Sequence, residues 1–207
     1  RIVNMGVISN GTTLLDAGAL SVASGAMTLI KTVTISSDTA NISFIHGTSG
    51  VVFDSTYKEY VFKYINIHPA TNSRTLEFNL SVDGLSSTAV KTTTFFRAYN
   101  NEADSDTTLS YDTGEDEAQN DSGQTLGELI GADNDQSASG TLHLFDPAST
   151  TFVKHFMAET SYSQQSDYAF RGVMGGYANV TAAINSIRFN FVNSNIGSGT
   201  IKMYGIS

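Results

Sequence analysis

Apolar and polar residues alternate in pairs along most of the chain, the period that β-strands impose. Leu76, Phe78, Leu80 and Val82 interleave with Glu77, Asn79, Ser81 and Asp83, and Asp83-Gly84 follows as a turn signal. Leu29, Val33 and Ile35 alternate with Thr32 and Thr34, and Ile187, Phe189 and Phe191 with Arg188 and Asn190. The stretch Tyr57–Pro69 breaks this rule by being apolar on both sides. Tyr60, Phe62 and Tyr64 fall on one face, and Val61, Ile65 and Ile67 on the other, interrupted by Lys63. A strand of that kind predicts a central position covered on both faces. Pro69 closes it, because proline has no N–H for the ladder.

Further strands are predicted at Ile42–His46, Thr92–Tyr99, Leu142–Phe145, Thr151–Met157, Phe170–Tyr177 and Gly199–Ile206. The total is nine to eleven strands, with no helix of ten residues or more. Strands without crossover helices pair antiparallel, so the expected fold is an all-β, jelly-roll-like antiparallel β-sandwich over residues 28–207. Residues 1–27, rich in Gly, Ala and Ser, read as an extended N-terminal arm. Residues 101–140 read as a long acidic loop insertion, with one short helical turn at Thr125–Ile130. That segment holds 11 of the 20 acidic residues, and no Lys or Arg lies between Arg97 and Lys154.

Composition narrows the function. The chain has 207 residues, enough for one β domain, and its 12 Phe and 9 Tyr supply the bulk of a core that contains no Trp. The absence of cysteine removes disulfides, thiolate nucleophiles and Cys-ligated zinc. A net charge of −9 disfavours nucleic acid and anionic lipid as partners. No apolar run reaches the ~20 residues of a membrane helix, so no membrane insertion is expected, and Arg1 is not followed by a signal-peptide core.

Candidate chemistry is sparse. His46, His68, His143 and His155 lack metal-ligand spacing, and His143 and His155, on predicted strands, read as partly buried, hydrogen-bonded side chains rather than catalytic bases. No Gly-x-Ser-x-Gly elbow occurs, and no pair of carboxylates is marked for glycoside cleavage. A non-enzymatic protein without a cofactor is expected. Asp133 and Asp135 alternate oxygen donors in the manner of a calcium loop, as do Asp104-Ser105-Asp106 and Glu115-Asp116-Glu117. None completes the pattern with its glycine and distal Glu, so a solvated acidic surface is the favoured reading over a structural Ca²⁺. Tyr111, Tyr162 and Tyr168 lie in predicted loops or loop edges. They are candidate platforms for sugar stacking, against ordinary loop packing.

Four segments together resemble a family of virion structural proteins of tailed phages of marine bacteria, including cyanophages. They are DSTYKEYVFKYINIHP (54–69), FRAYNNEADS (96–105), DNDQSASGTLHLFDPASTTFVKHF (133–156) and GTIKMYGI (199–206). The resemblance spans roughly Thr28 to the C-terminus. It implies a particle component, expected on the exterior, without fixing its position there, and supplies no catalytic residues. A tail-fibre or appendage subunit, trimeric or filamentous, is favoured over a capsid decoration protein. The partners expected are copies of itself, other virion proteins and, on the alternative of a carbohydrate-binding receptor-recognition module, a host surface glycan.

Overall fold

The structure, a computed structural model, describes residues 26–207 and three short strands before them. Those strands, β1 (Val7–Ser9), β2 (Thr12–Asp16) and β3 (Ala19–Leu20), pair with one another in a small antiparallel sheet. The rest of the predicted arm lies outside the described residues. Thirteen strands make the body: β4 (Met27–Ile35), β5 (Ile42–Ile45), β6 (Glu59–Pro69), β7 (Arg74–Ser81), β8 (Lys91–Asn101), β9 (Thr107–Tyr111), β10 (Ala118–Asn120), β11 (Gln124–Ile130), β12 (Ala138–Phe145), β13 (Lys154–Gln164), β14 (Tyr168–Ala178), β15 (Ser186–Phe191) and β16 (Ile196–Ile206).

Every pairing is antiparallel, and no helix occurs among the described residues. A large sheet runs β4-β16-β6-β12-β13-β14-β8, with β9 and β10 sharing the outer edge of β8. A smaller one runs β11-β7-β15-β5, and the two join at a corner where Ile130 of β11 pairs with Gln164 of β13. The protein is an antiparallel β-sandwich, as the strand alternation predicts.

Aromatic rings lock the sheets together. Phe44 of β5 meets Phe62 of β6 edge-on at 5.4 Å, and Phe78 of β7 meets Phe156 of β13 at 5.1 Å. Phe189 of β15 sits 5.7 Å from Phe62 and 6.4 Å from Tyr64. Edge-to-face pairs add to the burial of large rings, so removing one such ring costs about 3–5 kcal/mol.

β6 is central, between β16 and β12, but among the described residues no second sheet covers its other face. Val61 is buried there between Tyr204 and His143, whereas Ile65 is exposed. Ile67 departs from the predicted face and joins the core. Asn66 has φ of 49°, and the register with β12 shifts beside it, so the alternation resets by one residue.

Residues 101–140 are not a loop insertion: they contribute β9, β10 and β11. The predicted helical turn at Thr125–Ile130 is β11, held between β7 and β13 with Gln124, Leu126 and Ile130 fully buried. Two register shifts interrupt its pairing with β7. They erase the period-2 pattern from the sequence, and cross-strand burial decides the conformation.

Candidate functional site

Two surfaces stand out: a cleft at one end of the sandwich and the outer face of the large sheet.

The cleft forms where the β8–β9 turn meets the β13–β14 turn. Asn101 organises the first, its side-chain oxygen accepting from the backbone N–H groups of Ser105 (2.9 Å) and Asp106 (3.2 Å). In the second, the N–H of Asp167 donates to the carbonyl of Gln164 at 3.1 Å with φ of 62° at Asp167. The N–H of Glu102 donates to the carbonyl of Asp167 at 3.1 Å, tying the turns together. This fixes Tyr168 at the start of β14. Its ring stands edge-on to Tyr99 at 5.6 Å, and its hydroxyl donates to Asp106 at 3.0 Å. The Asp106 carboxylate raises the Tyr168 pKa above its ordinary value, because it holds the phenol proton.

The cleft beside Tyr168 has a volume of about 510 Å³, with Tyr99, Asp106, Glu128, Leu129 and Ser166 among its lining. Leu129 enters through a bulge in β11, with φ of 52° and a partly exposed side chain. At the inner end Arg97 pairs with Asp112 at 2.9 Å and with Glu128. Burial raises the pKa of nearby Glu115. Across Tyr168 lies a second hollow of about 380 Å³ with Glu102, Asp104, Asp135 and Asp167 on its walls.

The outer face is set by the sheet register. One row runs Lys202–Lys63–Thr141–Glu159–Val173–Phe96–Tyr111, and the next Ser139–Ser161–Arg171–Ala98–Leu109. Glu159 and Arg171 pair at 2.7 Å, and Lys63 lies 5.9 Å from the centre of the Tyr204 ring. His143 Nδ1 meets Glu59 Oε1 at 2.5 Å. Between them is a shallow hollow of about 630 Å³ floored by Val61, Met157 and Val173. Met27, Leu29, Met157, Val173, Phe96, Leu109 and Tyr111 are all exposed on this face or its edges.

The sequence-predicted residues separate. Tyr168 is at the cleft, as a rim aromatic. Tyr111 is on the outer face, its ring edge-on to Phe96 at 5.1 Å and its hydroxyl donating to Asp116. Tyr162 is a correction: it is inside β13, 3% exposed, and presents no platform to a sugar. It shares strand parity with Phe156 and Ala158, which face the core. Asp133 and Asp135 lie in the turn after β11, where the N–H of Gln136 donates to the carbonyl of Asp133 at 2.9 Å. Among the described residues no group of three or more His, Asp or Glu is placed to hold a metal ion. The four histidines are dispersed; His46, for one, accepts from the N–H of Phe53 at 2.9 Å. Leu129 and Tyr99 were missed as cleft residues. Tyr99 sits in a recognisable strand, but nothing in the sequence marks the bulge that exposes Leu129.

Compared with protein families, curated proteins and solved structures, the chain matches none.

Proposed function

We propose that the chain is a non-enzymatic structural subunit on the exterior of a tailed-phage particle, in a tail fibre or appendage rather than as a capsid decoration protein. The observation that carries this is the apolar strip Met157–Val173–Phe96–Tyr111–Leu109 on the outer face. Contiguous exposed apolar surface marks a site of association, and a subunit buried against neighbours gains stability from assembly. The resemblance of the four segments to virion proteins supports a phage particle as that assembly. Acidic, polar turns at the cleft end keep a many-copy particle soluble. The test is electron microscopy of particles labelled with antibody to this chain. Label on fibres or tail is the expected result, label on the shell moves the chain to the decoration role, and unlabelled particles reject the proposal. Copy number relative to the major capsid protein separates the first two.

A second reading rests on Tyr168. A ring fixed at a cleft rim beside Asp106 and Ser166 has the parts of a saccharide site: a flat face for C–H groups and polar atoms for hydroxyls. The cluster of carboxylates makes a neutral sugar the favoured ligand. A glycan array probed with the wild-type chain and with Tyr168→Ala tests it. Binding that the substitution abolishes supports this reading, and no binding by the wild type removes it.

A further inference from the structure

The edge of the large sheet at β9 is built to receive a strand. β9 pairs with β8 on one side, and among the described residues nothing pairs with it on the other. The N–H of Asn101 donates to the carbonyl of Asp106 at 3.1 Å, and that of Asp112 to the carbonyl of Phe95 at 2.9 Å. Antiparallel ladders alternate, so Tyr99–Thr108 and Arg97–Ser110 are the bonded pairs between them. The backbone N–H and C=O groups of Thr107, Leu109 and Tyr111 therefore point to the open side. The side chains of the same three residues are exposed, Leu109 to 80%.

Proteins normally guard such an edge with charge, proline, a bulge or brevity. The opposite edge, β4, carries Lys31 and a register shift against β16. The edge of the smaller sheet, β5, is four residues long. β9 is also short, at five residues, but it has no other guard: TTLSY has no charge or proline, and its register is unbroken from Phe96↔Tyr111 to Asn100↔Thr107. The carboxylates around it are turned onto their own subunit. Asp106 accepts from Tyr168, Asp112 pairs with Arg97, and Asp116 accepts from Tyr111. These contacts on their own subunit reduce the repulsion that two chains of −9 would otherwise meet at this edge. Inboard, Phe96, Ala98 and Val173 continue the apolar surface around a hollow of about 230 Å³.

We propose that β9 pairs antiparallel with β9 of a second copy about a two-fold axis at Leu109, joining two large sheets into one. This rests on the assembly reading above and gives it a surface. The outward residues are odd in number and centred on Leu109, so the edge matches itself: Leu109 faces Leu109, and Thr107 faces Tyr111. Each facing pair exchanges two backbone hydrogen bonds, about six in all. An isologous contact of this kind closes at two copies and leaves β4 free. Glu102 and Asp104 remain exposed near the junction, so self-association tightens as salt rises.

Because the chain has no cysteine, Leu109→Cys carries the one thiol. Facing bonded residues lie about 5.5 Å apart between Cα atoms, within disulfide reach. Mild oxidation of Leu109→Cys is expected to give a covalent dimer at concentrations where Thr150→Cys, with its thiol on an exposed loop, stays monomeric. In sedimentation the wild type is expected to dimerise more tightly at high salt, and Leu109→Lys to be monomeric with the melting temperature that the wild type shows when diluted to monomer. A wild type that stays monomeric, a dimer that Leu109→Lys leaves intact, or open-ended chains each overturn the proposal. A Leu109-dependent dimer with unlabelled particles removes the virion reading alone; a monomer with labelled particles removes this inference alone.

Discussion

Lys91 and Lys154 occupy one row of the large sheet, separated only by Ala178, and both point into the sandwich with no solvent exposure. Their surroundings differ. The ammonium of Lys154 donates to the carbonyls of Phe152 (2.7 Å), Thr181 (3.1 Å) and Val180 (3.3 Å). That of Lys91 donates to the carbonyl of Ala89 alone, at 3.1 Å, with Glu117, Asp121 and Glu77 at longer range.

Replacing each lysine by methionine is therefore expected to act with opposite sign. Burial lowers the Lys91 pKa from 10.5 to about 8, a desolvation penalty of about 3 kcal/mol on the charged form. Lys91→Met removes that penalty for one lost hydrogen bond and should stabilise the fold at pH 7 by about 1–2 kcal/mol. Lys154→Met strips three carbonyls of their donor and should destabilise it by about 2–3 kcal/mol. Between pH 8 and 10.5 the unfolded chain holds a proton that folded Lys91 has released. Stability from this group therefore rises with pH across the window, and its penalty is felt in full below pH 8. Urea denaturation from pH 7 to 10 checks both points: wild type should gain stability relative to Lys91→Met as pH rises.

Gly140 makes room for Tyr64. The Tyr64 hydroxyl reaches across β12 to bond Thr160 of β13 at 2.5 Å, and its ring lies over the position of Gly140. A methyl group at Gly140 would stand 2.5 Å from the Tyr64 hydroxyl and against the carbonyl of Glu159. Neither the backbone nor a buried ring yields easily. Gly140→Ala is expected to destabilise the fold by about 2–3 kcal/mol, and Tyr64→Phe by about 1 kcal/mol. Thermal denaturation of the two variants and of the double variant measures this, and the double should recover part of the loss if the hydroxyl is the obstacle.

Period-2 alternation was enough to place β7, β8 and β15, because β7 pairs with β15, and β8 with β14, in unbroken register. It misplaced Ile67, since a single left-handed residue, Asn66, shifts the phase of everything after it. It failed for β11, whose bulges scatter its buried positions. Acidic content suggested loop across 101–140, although β9 needs only five residues along the edge of β8. The cleft was half legible. Tyr168 follows a turn and was readable as a rim aromatic, whereas Tyr162, six residues earlier, is inward by strand parity. That β9 is an edge follows from the order of strands, which no local pattern encodes.

Asp83 holds the β7–β8 loop. One carboxylate oxygen accepts from the Ser81 hydroxyl (2.6 Å) and the Ser87 N–H (2.9 Å), the other from the Ser87 hydroxyl (2.7 Å). These bonds, Ser81 first, lower the Asp83 pKa from 3.8 to about 2. The stabilisation is present above pH 3.8 and lost as pH falls through about 2. Gly84 and Leu85 next to it have φ of 73° and 80°, a turn that the carboxylate supports. An NMR titration of Asp83 should give a midpoint near 2. Asp83→Asn should abolish that transition and speed hydrogen exchange at the Ser87 amide.

Leu129 pairs a left-handed backbone with a side chain 38% exposed at the Tyr168 cleft. A non-glycine residue in that region carries about 1 kcal/mol or more of strain, which offsets much of what the partial burial of this side chain contributes. Glycine adopts the same φ freely but loses more conformational entropy on folding. Leu129→Gly is thus expected to leave stability unchanged or raise it by up to about 1 kcal/mol, as read from urea midpoints. Strain held against stability at a cleft is a signature of a site shaped for contact. On the saccharide reading the same substitution should weaken glycan-array binding while the fold stays intact. Loss of stability instead would assign Leu129 to packing and leave the cleft to its aromatic lining, Tyr99 and Tyr168.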